Sequence, residues 1–129
     1  MRNVIALFYF VGSENPCIYS VPNRKQSYAY YKHCKVFCLT SHSEGFPTTL
    51  VEAMYFGKPF VSTPVAGTDE LSQNENCGFI ARDEEEYAIK LLELLTTSEL
   101  YKNMSEYCSN YVINYSLKNQ IQAIEENCL

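Results

Sequence analysis

Between residues 4 and 82, short apolar runs alternate with stretches of helical spacing. This alternation limits the fold more than any other feature of the 129-residue chain. Residues 4–11 read as a strand that Gly12 and Ser13 end, and residues 17–20 as a short second strand set among Pro16, Pro22 and Asn23. RKQSYAYYKHC (24–34) has helical spacing, with Tyr28, Tyr31 and Tyr30 on an aromatic face. KVFCLTS (35–41) ends in small polar residues, as a buried parallel strand does. A helix then runs from Pro47 and Thr48 to about Phe56, stopped by Gly57 with Pro59 behind it. PFVSTP (59–64) is the next strand, AGTDELS (66–72) a glycine-containing loop with a short helix, and GFIAR (78–82) a further strand. DEEEYAIKLLELLTT (83–97) is an amphipathic helix with acids at its N-terminus, where the dipole favours them. Residues 98–110 and 117–127 read as two more helices. The pattern predicts an α/β fold, a Rossmann-like parallel sheet flanked by helices, in a single domain over residues 1–129.

Composition removes several classes of function. With 47% hydrophobic and 19% charged residues the chain is globular rather than disordered. A net charge of -5 argues against a nucleic-acid binder, which ordinarily presents a basic face. Six cysteines stand at irregular spacing with no C-x-x-C pair, and the chain is long enough to build a core without disulfides, so reduced thiols in a cytoplasmic protein are expected. His33, Cys34, Cys38 and His42 are close enough in sequence to suggest a metal site. The alternative, preferred here, is that Cys34 and Cys38 fall in or beside a strand and point into the core, with no metal. VIALFYFV (4–11) is shorter than the roughly 20 residues a membrane span needs, and lacks the small-residue cleavage site of a signal peptide.

The stretch SEGFPTTLVEAMYFGKPF (43–60) carries the chemistry. In parallel α/β folds, ligands bind at the carboxyl ends of strands, against the N-terminus of the next helix. Here that place is residues 41–49. The amides of Thr48, Thr49 and Leu50 are expected to face an anion, and Gly45 allows the backbone to pass close to a ligand. Glu52 shares a helix face with Thr48 and Thr49, about 6 Å further along the axis, while Leu50, Ala53 and Met54 turn to the sheet. A carboxylate suits a vicinal diol. The spacing fits a nucleoside diphosphate sugar: ribose at Glu52, phosphates at Thr48–Leu50 and sugar at Glu44. Two plainer readings stand beside it: Glu44 as a loop residue in solvent, and Glu52 as an ordinary exposed helix residue. A glycosidase pair is a further alternative, but it needs no phosphate cradle, and Glu52 is poorly placed to face Glu44 across one bond.

EGFPTTLVEAM resembles the signature of retaining glycosyltransferases of the GT-B fold. YYKHCKVFCLTS, GKPFVSTPVAGTDEL, NCGFIARDEEEYAIKLLELL and YVINYSLKNQIQAIEENCL are similar to the elements around it, so the likeness covers most of residues 24–129. The resemblance implies that Glu44 is catalytic and, with Gly45, Phe46 and Pro47, contacts the donor sugar. It implies that Thr48, Thr49 and Leu50 lie at the diphosphate, that Glu52 holds the ribose, and that Gly67 and Glu70 belong to a donor loop. Where that loop often has a further glycine, this chain has Ala66, which narrows the backbone path. No metal or cofactor is implied beyond the nucleotide sugar itself. Family members pair a donor-binding C-terminal domain with an acceptor-binding N-terminal domain. The likeness here is to the later part of the former. The acceptor domain, and the segment that supplies an Arg and a Lys to the diphosphate, are expected to be missing or to come from another chain. Arg24, Lys25 and Lys58 are candidate substitutes, with solvated surface as the plainer reading. An exposed sheet edge makes self-association an expectation, and the location implied is the cytoplasm or the inner face of the membrane. The alternative to a transferase is a non-catalytic Rossmann-like binding or interaction module.

Overall fold

A computed structural model describes residues 4–8, 17–21, 24–43, 45, 47–114, 122, 125 and 126. The first two strands, β1 (Val4–Phe8) and β2 (Cys17–Val21), pair antiparallel, Val4 opposite Val21 and Phe8 opposite Cys17. This departs from the parallel alternation expected from residue 4 onward. The connection explains it: residues 9–16 are fewer than the dozen or so that a parallel crossover needs, so the chain turns back beside itself.

The parallel sheet begins after helix α1 (Arg24–His33). Its strands β3 (Phe37–Leu39), β4 (Phe60–Ser62) and β5 (Gly78–Ile80) lie in sequence order, with Phe37 beside Phe60 and Phe60 beside Gly78. Helix α2 (Thr48–Tyr55) joins β3 to β4, and the single-turn helix α3 (Thr68–Ser72) joins β4 to β5. Helices α4 (Glu84–Thr96) and α5 (Ser98–Asn114) close the described fold, α5 running past the expected end at residue 110. Gln122, Glu125 and Glu126 are helical, and the rest of the helix expected over 117–127 lies outside the described residues, as do residues 9–11. From residue 24 the Rossmann-like α/β reading is the architecture observed.

Local chemistry sets the helix ends. Gly57 adopts a left-handed φ of 70° beyond α2. Its amide donates to Met54 O at 2.9 Å and that of Lys58 to Ala53 O at 3.0 Å. This paired closure satisfies carbonyls that the helix leaves without partners. At the start of α4 the Asp83 carboxylate accepts from the Glu86 amide at 2.8 Å, and Glu86 accepts from the Arg82 amide at 2.9 Å. Between α3 and β5, Gln73, Asn74 and Glu75 all have positive φ, an unfavourable run for residues with side chains. Ser72 holds it in place: its buried hydroxyl donates to Gly78 O at 2.6 Å and accepts from the Glu75 amide at 3.1 Å.

Alternation along the strands sends side chains to two apolar layers. Phe60 packs with Leu39, Leu50, Val51, Met54 and Leu71. Its neighbour Val61 packs with Phe79, Ala81 and Leu94. Helix α5 reaches both: Met104 joins the Val61 layer, while Cys108 and Val112 join the Phe60 layer. On the Val61 side the Tyr87 hydroxyl, from α4, lies 2.7 Å from Val61 O and 3.2 Å from Leu39 O, tying the helix to two strands. Tyr28 and Tyr31 of α1 form a third cluster with Ala53, flanked by Phe37, Tyr55 and Phe56. The aromatic face expected on α1 is therefore present, with Tyr30 only half-buried.

Candidate functional site

Strands β3 and β4 end side by side, so the chain that follows each begins at the same edge of the sheet. The Thr63 amide donates to Leu39 O at 3.1 Å, and the Thr63 hydroxyl donates to Ser41 O. Thr63 therefore pins the first residues of the loop that leads to α2. Sequence reasoning passed over it because a threonine ending a strand has no distinguishing spacing. Gly45 is exposed, and a Cβ built there meets nothing within 4 Å. Crowding by the described residues therefore does not require a glycine at that point. Glu44 and Phe46 lie outside the described residues.

Buried Pro47 occupies the N-cap of α2 with φ -82° and ψ 77°, and among the described residues no side chain caps the helix. First-turn amides have no acceptor within their own helix. Leu50 is an exception to the expectation of three such amides: its N–H closes a tight turn onto Pro47 O at 3.0 Å as its side chain enters the core. The amides left at this end are those of Thr48 and Thr49, whose side chains are half-exposed.

Glu52 is not the exposed helix residue of the plainer reading. It is 7% exposed, because α2 is buried on all sides from Leu50 to Met54. Ala53 faces the tyrosines of α1, while Leu50, Val51 and Met54 serve the main core. The carboxylate of Glu52 faces the Tyr31 phenol. Burial above all, and then the charge of Glu52, push the Tyr31 pKa well above the usual tyrosine range.

The loop after β4 is built on Gly67 and Thr68. Gly67 takes a left-handed φ of 87° at the N-cap of α3, a conformation glycine adopts at little cost. Thr68 is buried, its hydroxyl donating to Val65 O at 2.7 Å. Glu70 is exposed and lies by Tyr111, whose pKa is raised mainly by burial and next by that charge. Lys58 falls beyond the C-terminus of α2, about 12 Å of helix away from Thr48, so it cannot serve an anion there. It sits instead near Cys34, whose thiol it draws downward against the stronger effect of burial. The side chains of Arg24 and Lys25 lie outside the described residues. Among the described residues no cluster of His, Cys, Asp or Glu could hold a metal ion, and no helix is long and apolar enough to cross a membrane. Cys38 lies within β3 and Cys34 precedes it, both half-buried, and His33 and His42 are exposed.

A three-stranded parallel sheet flanked by helices, with the start of α2 at its carboxyl edge and a buried carboxylate one turn along, is a Rossmann-like α/β domain. The model of the family "Glycosyl transferases group 1" matches residues 13–111, and the chain belongs to that family. It resembles the C-terminal domain of the GT-B glycosyltransferases, in agreement with the motif at residues 44–54. Over 89 residues it is 34% identical to an uncharacterized glycosyltransferase of Haemophilus influenzae, covering 67% of this chain and 25% of that protein. Over 105 residues it is 30% identical to the GalNAc-alpha-(1->4)-GalNAc-alpha-(1->3)-diNAcBac-PP-undecaprenol alpha-1,4-N-acetyl-D-galactosaminyltransferase of Campylobacter jejuni, covering 76% of this chain and 29% of that one. The crystal structure of a glycosyltransferase from Rickettsia africae shares the fold, with a TM-score of 0.53 at 22% identity over 76% of this chain and 28% of that chain. The chain thus spans between a quarter and three-tenths of the length of these relatives.

Proposed function

We propose that the chain is the donor-binding part of a retaining glycosyltransferase, which moves a sugar from a nucleoside diphosphate to a hydroxyl of a growing glycan. The observation that carries this reading is the end of α2: Thr48 and Thr49 amides at the carboxyl edge of the sheet, without a side-chain cap among the described residues, and buried Glu52 one turn behind them. The two amides and the helix dipole, equivalent to roughly half a positive charge at that end, would stabilise the charge that develops on the departing diphosphate. Glu52 would accept hydrogen bonds from the two ribose hydroxyls. Glu44, by family resemblance, would act at the sugar with Gly45, Phe46 and Pro47 beside it, and Gly67 and Glu70 would border the donor from the second loop.

Catalysis on this reading also requires an acceptor-binding domain and basic side chains for the diphosphate, supplied by further chain or by a partner. The relative from Campylobacter jejuni, named for a diphosphoundecaprenol-linked substrate, favours assembly of a lipid-linked polysaccharide at the cytoplasmic face of a membrane. Fractionation of native cells tests that placement, and the anomeric configuration of the isolated product tests retention.

Calorimetric titration with UDP, GDP and their common sugar conjugates tests the donor site. Binding at millimolar concentration or tighter, abolished by Glu52→Ala, is the expected result. A folded chain that binds no nucleotide would sink the donor-site reading and favour a non-catalytic module of the same fold.

A further inference from the structure

We infer that Tyr31, on α1 and outside the motif, is the positioning residue for Glu52, its phenol holding the carboxylate toward the donor ribose. The inference rests on the donor-site reading above. Tyr31 is 2% exposed, and its ring is held between neighbours. It stacks on Phe56 at 5.9 Å and 11°, and lies tilted against Phe37 at 5.3 Å. A ring so enclosed cannot swing its hydroxyl elsewhere.

That hydroxyl has no partner at ordinary hydrogen-bond geometry among the described residues, and the carboxylate it faces is that of Glu52. A buried hydroxyl left short of a partner destabilises a fold, and the aromatic packing would accept phenylalanine equally well. The oxygen therefore calls for a role outside packing. A carboxylate offers about four lone-pair positions. A vicinal diol uses two, and a phenol from the side of α1 can take a third without competing. The phenol remains the donor in this contact, because burial and the carboxylate charge both oppose its ionisation.

The test titrates the full chain with UDP and GDP and with the 2′,3′-dideoxy forms of both. Tyr31→Phe is expected to weaken ribonucleotide binding about tenfold, the scale of a hydrogen bond to a charged group. It should leave dideoxynucleotide binding unchanged and add no further loss in a Glu52→Gln background. Ribonucleotide affinity equal to wild type overturns the inference and leaves the donor site standing. An equal loss for both nucleotide forms also overturns it, by making Tyr31 a packing residue. No nucleotide binding by the folded wild type overturns both readings. Should the variant fail to fold, the ζ-carbon resonance of Tyr31 in the wild-type chain decides. A shift on adding ribonucleotide but not dideoxynucleotide is expected, and no shift with either rejects the inference.

Discussion

The hydroxyl of Ser105 donates to the carbonyl oxygen of Gly57 at 2.6 Å, so α5 is anchored to the turn that ends α2. The same glycine has a φ of 70°, and a Cβ built on it falls 2.9 Å from Ser109 Oγ and 3.2 Å from Ser105 Oγ. Gly57→Ala therefore meets both backbone strain and the surface of α5. The expected loss is about 1–3 kcal/mol, or roughly 4 °C in Tm per kcal/mol for a domain of this size. Thermal melting of the variant checks it, and an unchanged midpoint would show that α5 does not press on this turn.

Gly78 lies directly across the sheet from Phe60, and the Phe60 ring covers it: a Cβ there would come within 2.5 Å of ring carbons. Phe60 is itself fully buried, so the ring has nowhere to retreat. Gly78→Ala is expected to destabilise by about 1–3 kcal/mol through overpacking. Phe60→Leu alone should also destabilise, by leaving space. Combined, the two should cost less than their sum, a coupling that denaturant melts of the four proteins measure. Strict additivity would mean that the ring does not rest on the glycine.

Burial pushes the Cys34 thiol up to about 11, Lys58 offsetting only part of the shift. The thiolate is the reactive form, so alkylation of Cys34 by iodoacetamide should be slow near neutrality and gain rate until about pH 11. The folded value lies above the ordinary 9.0. The stability linked to this proton is therefore complete below pH 9 and is lost as pH rises through about 11. Cys34→Ser should lose less stability than wild type across that interval in urea melts, and equal losses would refute the linkage.

Most elements were legible because each has a local cause. The Gly57 stop, the acidic start of α4 and the tyrosine face of α1 are matters of a few neighbouring residues, and all three are present. The pairing of β1 with β2 went astray because an apolar run does not reveal its partner, and only the length of residues 9–16 does. At the site, the helix end after β3 was readable from Pro47 and the two threonines. The burial of Glu52 was not, since it arises from α1 packing across α2, a contact between segments about twenty residues apart in the chain. The Leu50 amide, expected at the anion with those of Thr48 and Thr49, also closes a tight turn onto Pro47 O, a contact that no spacing announces.

Helix α5 follows the whole parallel sheet in the chain, yet its Met104 completes one apolar layer and its Cys108 and Val112 the other. On a ribosome, the sheet and four helices would emerge with both faces unfinished. Nascent chains stalled before residue 98 should remain open to protease, and those that have released residue 114 should resist it. Two layers that share one closing helix have no order of completion between them, so the domain gains protection in a single late step of its synthesis.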